Sequence, residues 1–158
     1  MVNNVVIKRG QLYWGDLGEQ KGSIQAGQRP VLILQNDVGN KHSPTVTICP
    51  ISSKINKMRL PTHVQLDQGC GLLKPSFALI EQSMTINKES LLYYIGDVDK
   101  TTMQKINMAC KIQFNIVEEF DITGFIGMCK LQNKKNVDIL TKKLVQYCIN
   151  SGIGYKVV

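Results

Sequence analysis

Few side chains in this sequence are placed to do chemistry, and the ones that stand out lie at strand ends: Arg29, Ser52, His63 and the adjacent pair Glu81 and Gln82. Arg29 stands just before the apolar run Val31-Leu32-Ile33-Leu34 and is followed by Pro30. A proline biases the residue before it toward extended backbone, which holds Arg29 at the mouth of a strand with little conformational freedom. Two readings fit that placement, a solvated strand end or a cation aimed at an anion. A guanidinium suits the second because it is planar, stays charged and donates two parallel hydrogen bonds to a phosphate. Ser52 brings a hydroxyl that donates and accepts, but it is a weak acid and a weak base unless its surroundings help it. Histidine is the side chain best suited to acid–base work near neutral pH, yet an alternating strand around His63 is as well explained by a surface role. His42 falls in a turn and is assigned nothing.

What the chain lacks narrows the classes. It has no Gly-rich phosphate loop, HExxH or GxSxG signature, and spacing alone identifies no enzyme. The five cysteines, Cys49, Cys70, Cys110, Cys129 and Cys148, form no CxxC pair, and neither His42 nor His63 is near them in sequence. Metal-ligand spacing is therefore absent, and the expectation is ordinary core or free thiols, no metal and no cofactor. With 158 residues, 43% of them hydrophobic and 20% charged, the chain has the composition of a single globular domain. No apolar run approaches the roughly 18 residues of a membrane helix, and the N-terminus shows no secretory pattern, so the expectation is a cytoplasmic protein without a membrane partner. The formal charge of +7 favours a polyanionic partner only weakly. Residues 121–158 carry six lysines against two acids, +4, while residues 1–120 carry thirteen Lys and Arg against ten acids, +3.

The elements that must position these residues are short. Turn chemistry separates strands at Gly10–Leu17, Pro30–Gln35, Pro44–Ile51, Thr62–Asp67, Ser76–Ser83 and Tyr93–Val98, with Glu81 and Gln82 ending the fifth. Alternation places one of Tyr13 and Trp14 inside, and Trp14 is expected in the core. Pro50 removes a ladder donor, which argues for an edge or a bulge there. The segment Gly18–Gln28 holds three glycines and no apolar period, so it reads as a long flexible loop; Asn36–Asn40 reads as a turn. The period then changes. Asp99 can cap a helix whose stripe is Met103, Ile106, Cys110, Phe114 and Val117, and Val137, Leu140, Leu144 and Cys148 mark a second helix stopped near Ser151-Gly152. Many short strands at this spacing suggest a compact barrel or a strongly curved sheet.

Five segments, IKRGQLYWGDL, GSIQAGQRPVLILQNDVGNKHSPTV, LPTHVQLD, ALIEQSMTIN and IGDVD, come in one order over roughly residues 5–120. In that order they resemble the MazF/PemK toxins of bacterial toxin–antitoxin systems, in the Gram-positive chromosomal branch. The resemblance implies an α+β fold: an SH3-like small β-barrel, or strongly curved antiparallel sheet, with a C-terminal helix packed on it. It implies a domain over residues 1–120; residues 121–158 lie beyond the family's usual end and, from the stripe Val137, Leu140, Leu144 and Cys148, read as a helical extension. It also implies a homodimer that cuts single-stranded RNA, including mRNA, selectively and without a metal. Attack of the ribose 2′-hydroxyl on the adjacent phosphate would leave 2′,3′-cyclic phosphate and 5′-hydroxyl ends, and arrest translation and growth.

Under that resemblance the family's catalytic Arg falls on Arg29 and its catalytic Thr on Ser52, which keeps the hydroxyl and loses the methyl that restricts χ1. His63, Glu81 and Gln82 become RNA contacts, as do Ser23 and Gln25 if their loop closes on RNA. The family's Glu-Gln-Ile-Arg-Thr segment has Ser83-Met84 in place of Ile-Arg, and Cys49-Pro50-Ile51-Ser52 replaces Ala-Ala-Ile-Thr. The implied partner is a MazE-like antitoxin whose extended acidic segment occupies the RNA groove. Two other readings stand beside this one: a non-catalytic inhibitor of the same fold that binds a protein such as DNA gyrase, as CcdB does, and an inactive RNA-binding relative.

Overall fold

The computed structural model describes residues 6–54, 60–116, 120–121, 137–151 and 155–156. Contacts divide the chain into two units, Met1–Phe114 and Asn115–Val158. The first holds β1 (Gln11–Asp16), β2 (Gln28–Ile33), α1 (Asp37–His42), β3 (Thr45–Ser52), β4 (His63–Leu66), β5 (Ser76–Leu79), β6 (Met84–Asn87), β7 (Leu91–Asp97) and α2 (Lys100–Gln113). The seven strands form one antiparallel, strongly curved sheet in the order β4-β5-β3-β2-β1-β7, with β6 also pairing β3.

Both faces of the central strands are covered, which explains why Leu12-Tyr13, Val31–Leu34 and Ile48-Cys49 are unbroken apolar runs. Tyr13, Val31, Ile33, Val46, Ile48 and Leu91 fill one side. Leu12, Leu32, Cys49, Ile51, Val64, Leu66, Ile80, Ile106 and Ala109 fill the other, beneath β4, β5 and α2. Each Val, Leu or Ile among them contributes roughly 1.5–3 kcal/mol on burial.

This two-sided core corrects the expectation for Trp14. Tyr13 is the fully buried ring, with its hydroxyl donating to Gln11 Oε1 at 3.1 Å. Trp14 is half-buried and stacks on Tyr93 of β7, with centroids 6.0 Å apart. Alternation cannot choose between two faces that are both packed.

Pro50 is on no edge, since β3 is central. It lies where β3 passes from one partner to another: pairing with β6 ends at Ile48, and pairing with β5 begins at Ile51. A residue without an N–H falls in the gap between two ladders.

Other differences are local. Asp37–His42 is a one-turn helix, α1, built by its cap: the Asn36 side chain accepts from Gly39 N at 2.8 Å. So short a helix has no period to read. The expected strand Ser76–Ser83 stops at Leu79, and Ile80–Gln82 is a 3₁₀ turn closed by Ser83 N to Ile80 O at 3.1 Å. In α2, Thr102, Ile106 and Ala109 are buried, flanked by Met103 and Cys110. Phe114, expected on that stripe, is the exposed C-cap, and Val117 lies outside the described residues.

In the second unit, α3 (Val137–Ser151) forms where the sequence places it, with Leu144 half-buried and Cys148 buried; the side chains of Val137 and Leu140 lie outside the described residues. Short strands β8 (Phe120–Asp121) and β9 (Tyr155–Lys156) pair in parallel. No helix among the described residues is long and apolar enough to cross a membrane.

Two hydrogen-bonded carboxylates have a consequence for acid stability. Asp99 caps α2 by accepting from Thr102 N at 2.8 Å and Thr102 Oγ1 at 2.9 Å, and Asp16 accepts from Gly18 N and then Gln28. These hydrogen bonds hold both carboxyls below 3.8. Groups whose folded pKa is depressed contribute stability above the unfolded pKa and lose it as pH falls through the folded value. Replacing both residues by Asn should therefore shrink the drop in melting temperature between about pH 5 and pH 2. An unchanged pH dependence would refute this assignment.

Candidate active site

Strand register relates the backbone positions of Arg29 and Ser52. Val31 pairs with Pro50 across β2 and β3. Extending that antiparallel register by two residues sets Arg29 opposite Ser52, on the same face of the sheet, just past the last paired residues. Gly15 is the partner of Arg29 on β1 and leaves that side without a side chain.

Arg29 is half-buried and held by the segment before it. Its Nε donates to Ala26 O at 2.8 Å, Nη2 donates to the same carbonyl, and Nη1 donates to Gln25 Oε1. Burial lowers its pKa below the ordinary guanidinium value, and a guanidinium remains a cation under such a shift. A guanidinium has five N–H groups. With three used among the described hydrogen bonds, one N–H on each terminal nitrogen is left over, the number a bidentate phosphate contact needs.

Ser52 ends β3 and pairs with Phe77. Its Oγ accepts from Lys54 N at 3.2 Å and lies 3.4 Å from Lys54 O, to which it donates. Among the described residues no hydrogen bond joins Ser52 to Arg29.

His63 and Glu81 form a pair. β4 aligns His63 with Leu79, and the 3₁₀ turn then folds Glu81 back over it. His63 Nε2 is 3.0 Å from Glu81 Oε1, and Nδ1 accepts from Leu60 N at 3.3 Å. An Nδ1 that accepts leaves the proton on Nε2, which donates to the carboxylate. Thr62 Oγ1 donates to Glu81 Oε2 at 3.1 Å. Both carboxylate oxygens of Glu81 are thus engaged within the protein. Thr62 is a participant the sequence did not single out, and nothing in an alternating strand marks it.

The loop between β1 and β2 is not loose. Gly27 N donates to Gly18 O at 2.8 Å and Leu17 N to Gly27 O at 3.2 Å, closing its neck at two left-handed glycines. Farther out, Gln25 N donates to Gln82 Oε1 at 2.8 Å, and Gln82 Nε2 donates to Ser23 O at 3.3 Å. Gln25 and Gln82 are half-buried, while the Ser23 side chain is exposed. Loop composition announces turns, but it does not reveal a side-chain amide 57 residues away that matches them.

Burial pushes the thiols of Cys49, Cys70 and Cys110 up, most strongly at Cys49, which removes the thiolate a nucleophile needs. Among the described residues no group of three or more His, Cys, Asp or Glu side chains is placed to hold a metal.

A strongly curved antiparallel sheet with a helix packed on it is the architecture of the small SH3-like barrel class. Residues 8–114 match the family described as PemK-like, MazF-like toxin of type II toxin–antitoxin system, and the chain belongs to that family. It is 40% identical over 115 residues to Endoribonuclease EndoA of Bacillus subtilis (strain 168), covering 72% of this chain and 99% of that one. To Endoribonuclease MazF of Staphylococcus saprophyticus it is 39% identical over 112 residues, covering 70% and 93%. Among solved structures, a mycobacterial endoribonuclease in complex with its cognate antitoxin superposes with a TM-score of 0.60 at 28% identity, over 70% of this chain and 96% of that one. MazF of Deinococcus radiodurans, at 19% identity and a TM-score of 0.63 over 72% of this chain and all of that one, shares the fold.

Proposed function

We propose that this toxin cuts single-stranded RNA, mRNA included, at selected sequences and without a metal, by transesterification at the Arg29–Ser52 mouth. It is an endoribonuclease of a type II toxin–antitoxin system, as its family and its relatives of about 40% identity are named. The observation that carries the mechanism is the Arg29 guanidinium, fixed by Gln25 and Ala26 with one N–H left on each terminal nitrogen.

The 2′-oxygen attacks the adjacent phosphorus, the bond to the 5′-oxygen breaks, and the products are a 2′,3′-cyclic phosphate and a 5′-hydroxyl. Negative charge accumulates on the phosphorane oxygens, where a fixed cation stabilises more in the transition state than in the ground state. Arg29 supplies that cation and Ser52 the hydrogen-bonding hydroxyl beside it. Ser23, Gln25, His63 and Glu81 line the approach for the unstacked bases, which single-strand readers bind by edge hydrogen bonds and stacking, and Gln82 stands beside them with its carboxamide on the loop backbone. The nuclease domain spans residues 1–120, with 121–158 as a helical extension.

The protein acts in the cytoplasm as a homodimer, supported by the exposed apolar Leu92, Tyr93 and Tyr94 on edge strand β7. Its partner is an antitoxin whose extended acidic segment occupies the RNA groove.

A long single-stranded RNA incubated with the purified protein in EDTA tests the activity. Discrete cuts ending in 2′,3′-cyclic phosphate are expected; RNA left intact across varied sequences would overturn the reading. In the same assay Ser52→Ala should lower kcat on the order of tenfold to a hundredfold, the worth of about 1.5–3 kcal/mol for a hydrogen bond to a charged group. Ser52→Thr, which restores the methyl, should retain activity. Equal rates for parent and Ser52→Ala would remove Ser52 from the mechanism.

A further inference from the structure

We infer that Gln82 is a positioning residue for Arg29, acting through the loop between β1 and β2 rather than by reading a base. The inference rests on the reading of Arg29 as the phosphate-facing cation and adds what holds it there. The carboxamide of Gln82 matches the backbone of the loop as another peptide would: Oε1 accepts from Gln25 N at 2.8 Å and Nε2 donates to Ser23 O at 3.3 Å. The Gln25 side chain and Ala26 carbonyl, immediately after that pair, are the acceptors for all three Arg29 hydrogen bonds. The chain of contacts is therefore serial, from Gln82 to the loop backbone and from the loop to the guanidinium.

The anchor at the other end is firm. Gln82 ends a 3₁₀ turn whose first residue, Ile80, is fully buried, and Ser83 Oγ donates to Ile80 O at 2.6 Å. Glu81 in the same turn is held by His63 and Thr62. The loop is tied at its neck by the Gly18–Gly27 backbone pair, and between neck and tip the Gln25 N–H and the Ser23 carbonyl are held, among the described hydrogen bonds, by Gln82 alone, while Arg29 takes the Gln25 side chain and the Ala26 carbonyl. A base edge that took both groups of Gln82 would have to release the loop. The serial arrangement predicts that loosening Gln82 moves Arg29 without touching RNA. A misplacement of about 1 Å at a reacting group costs on the order of a hundredfold in rate.

The experiment compares the full chain with Gln82→Ala, Gln25→Ala and the double variant. It reads hydrogen exchange of the Gln25 amide and the Arg29 Nε–H by NMR, and cleavage by kcat, KM and cut-site sequencing. In Gln82→Ala, exchange at the Gln25 amide should rise by up to roughly tenfold, as one hydrogen bond is lost, and Arg29 Nε–H exchange should rise with it. The amide of Gly27, bonded to Gly18 O, should stay protected and report an intact neck. kcat should fall roughly ten- to a hundredfold while KM and the cut sites stay as in the parent. The double variant should be no slower than the slower single variant, because the two residues act in one series.

A raised KM or altered cut sites at unchanged kcat would make Gln82 a base reader and overturn the inference. Unchanged Gln25 and Arg29 exchange, or independent additive losses, would overturn it as well. If the parent cuts no RNA, the proposed function fails, and the exchange of Arg29 Nε–H still decides whether Gln82 holds the guanidinium.

Discussion

Arg29→Ala is expected to reduce RNA cleavage by two to three orders of magnitude while leaving the fold intact, the largest effect on activity of any single side chain here. One preorganised donor at a developing oxyanion supplies about 2.7–4 kcal/mol, or roughly 10²–10³ in kcat. The magnitude is appropriate because Arg29 is already oriented: its Nε is held at 2.8 Å by a backbone carbonyl of a neck-tied loop. No reorganisation is left for the reacting complex to accomplish. Arg29→Lys is the informative companion. It keeps the charge and loses the planar fork, so it should recover only part of the rate, by acting as a point charge. The side chain is half-buried at a strand mouth and packs into neither apolar cluster, so the melting temperature should change little. Single-turnover cleavage and thermal melting on the same samples check both halves. Cleavage by Arg29→Ala at the parental rate would refute the assignment of the cation.

The largest expected effect on stability comes from Ile80→Ala. Ile80 is completely buried in the cluster beneath α2 and β4, and truncating such a side chain costs about 2–5 kcal/mol in transfer and cavity terms. Its position gives the loss a second consequence. The residue begins the 3₁₀ turn that carries Glu81 to His63 and Gln82 to the loop, and its own N–H donates to Thr62 O at 3.2 Å. A loosened turn therefore disturbs both flanks of the mouth. Urea denaturation should show the stability loss, and cleavage measured well below the melting temperature should fall by more than the unfolded fraction explains. A loss under about 1 kcal/mol would mean that the surrounding side chains collapse onto the gap, and would refute the anchoring role.

The sequence by itself went far with the scaffold. Short runs bounded by Gly, Pro and Asn placed most strands within a few residues, and Asp99 with its apolar stripe placed α2, because strand and helix periods are local properties of the chain. It also singled out Arg29, since an Arg-Pro step at a strand mouth is visible without any fold. The collinear family segments carried the pairing of Arg29 with Ser52. Where local signals ran out, the reading erred in ways with a physical cause. Six residues of α1 depend on the Asn36 cap rather than on a period, and the turn after β5 continues an apolar run that looks like more strand. Tyr13 and Trp14 could not be ranked by alternation, because the sheet is packed on both faces.

Only the tertiary structure decided what surrounds the chemistry. That Pro50 sits between two ladders, that Glu81 spends both oxygens on Thr62 and His63, and that Gln82 answers the backbone of a loop 57 residues away are all pairings across long sequence separations. Such contacts leave no trace in local composition: a glutamine that reads bases and a glutamine that clamps a loop have the same side chain. The types of group available for RNA chemistry were legible in the chain. Their orientation was not, because it comes from hydrogen bonds that exist only once β2, β3 and the turn after β5 have been brought to one end of the sheet.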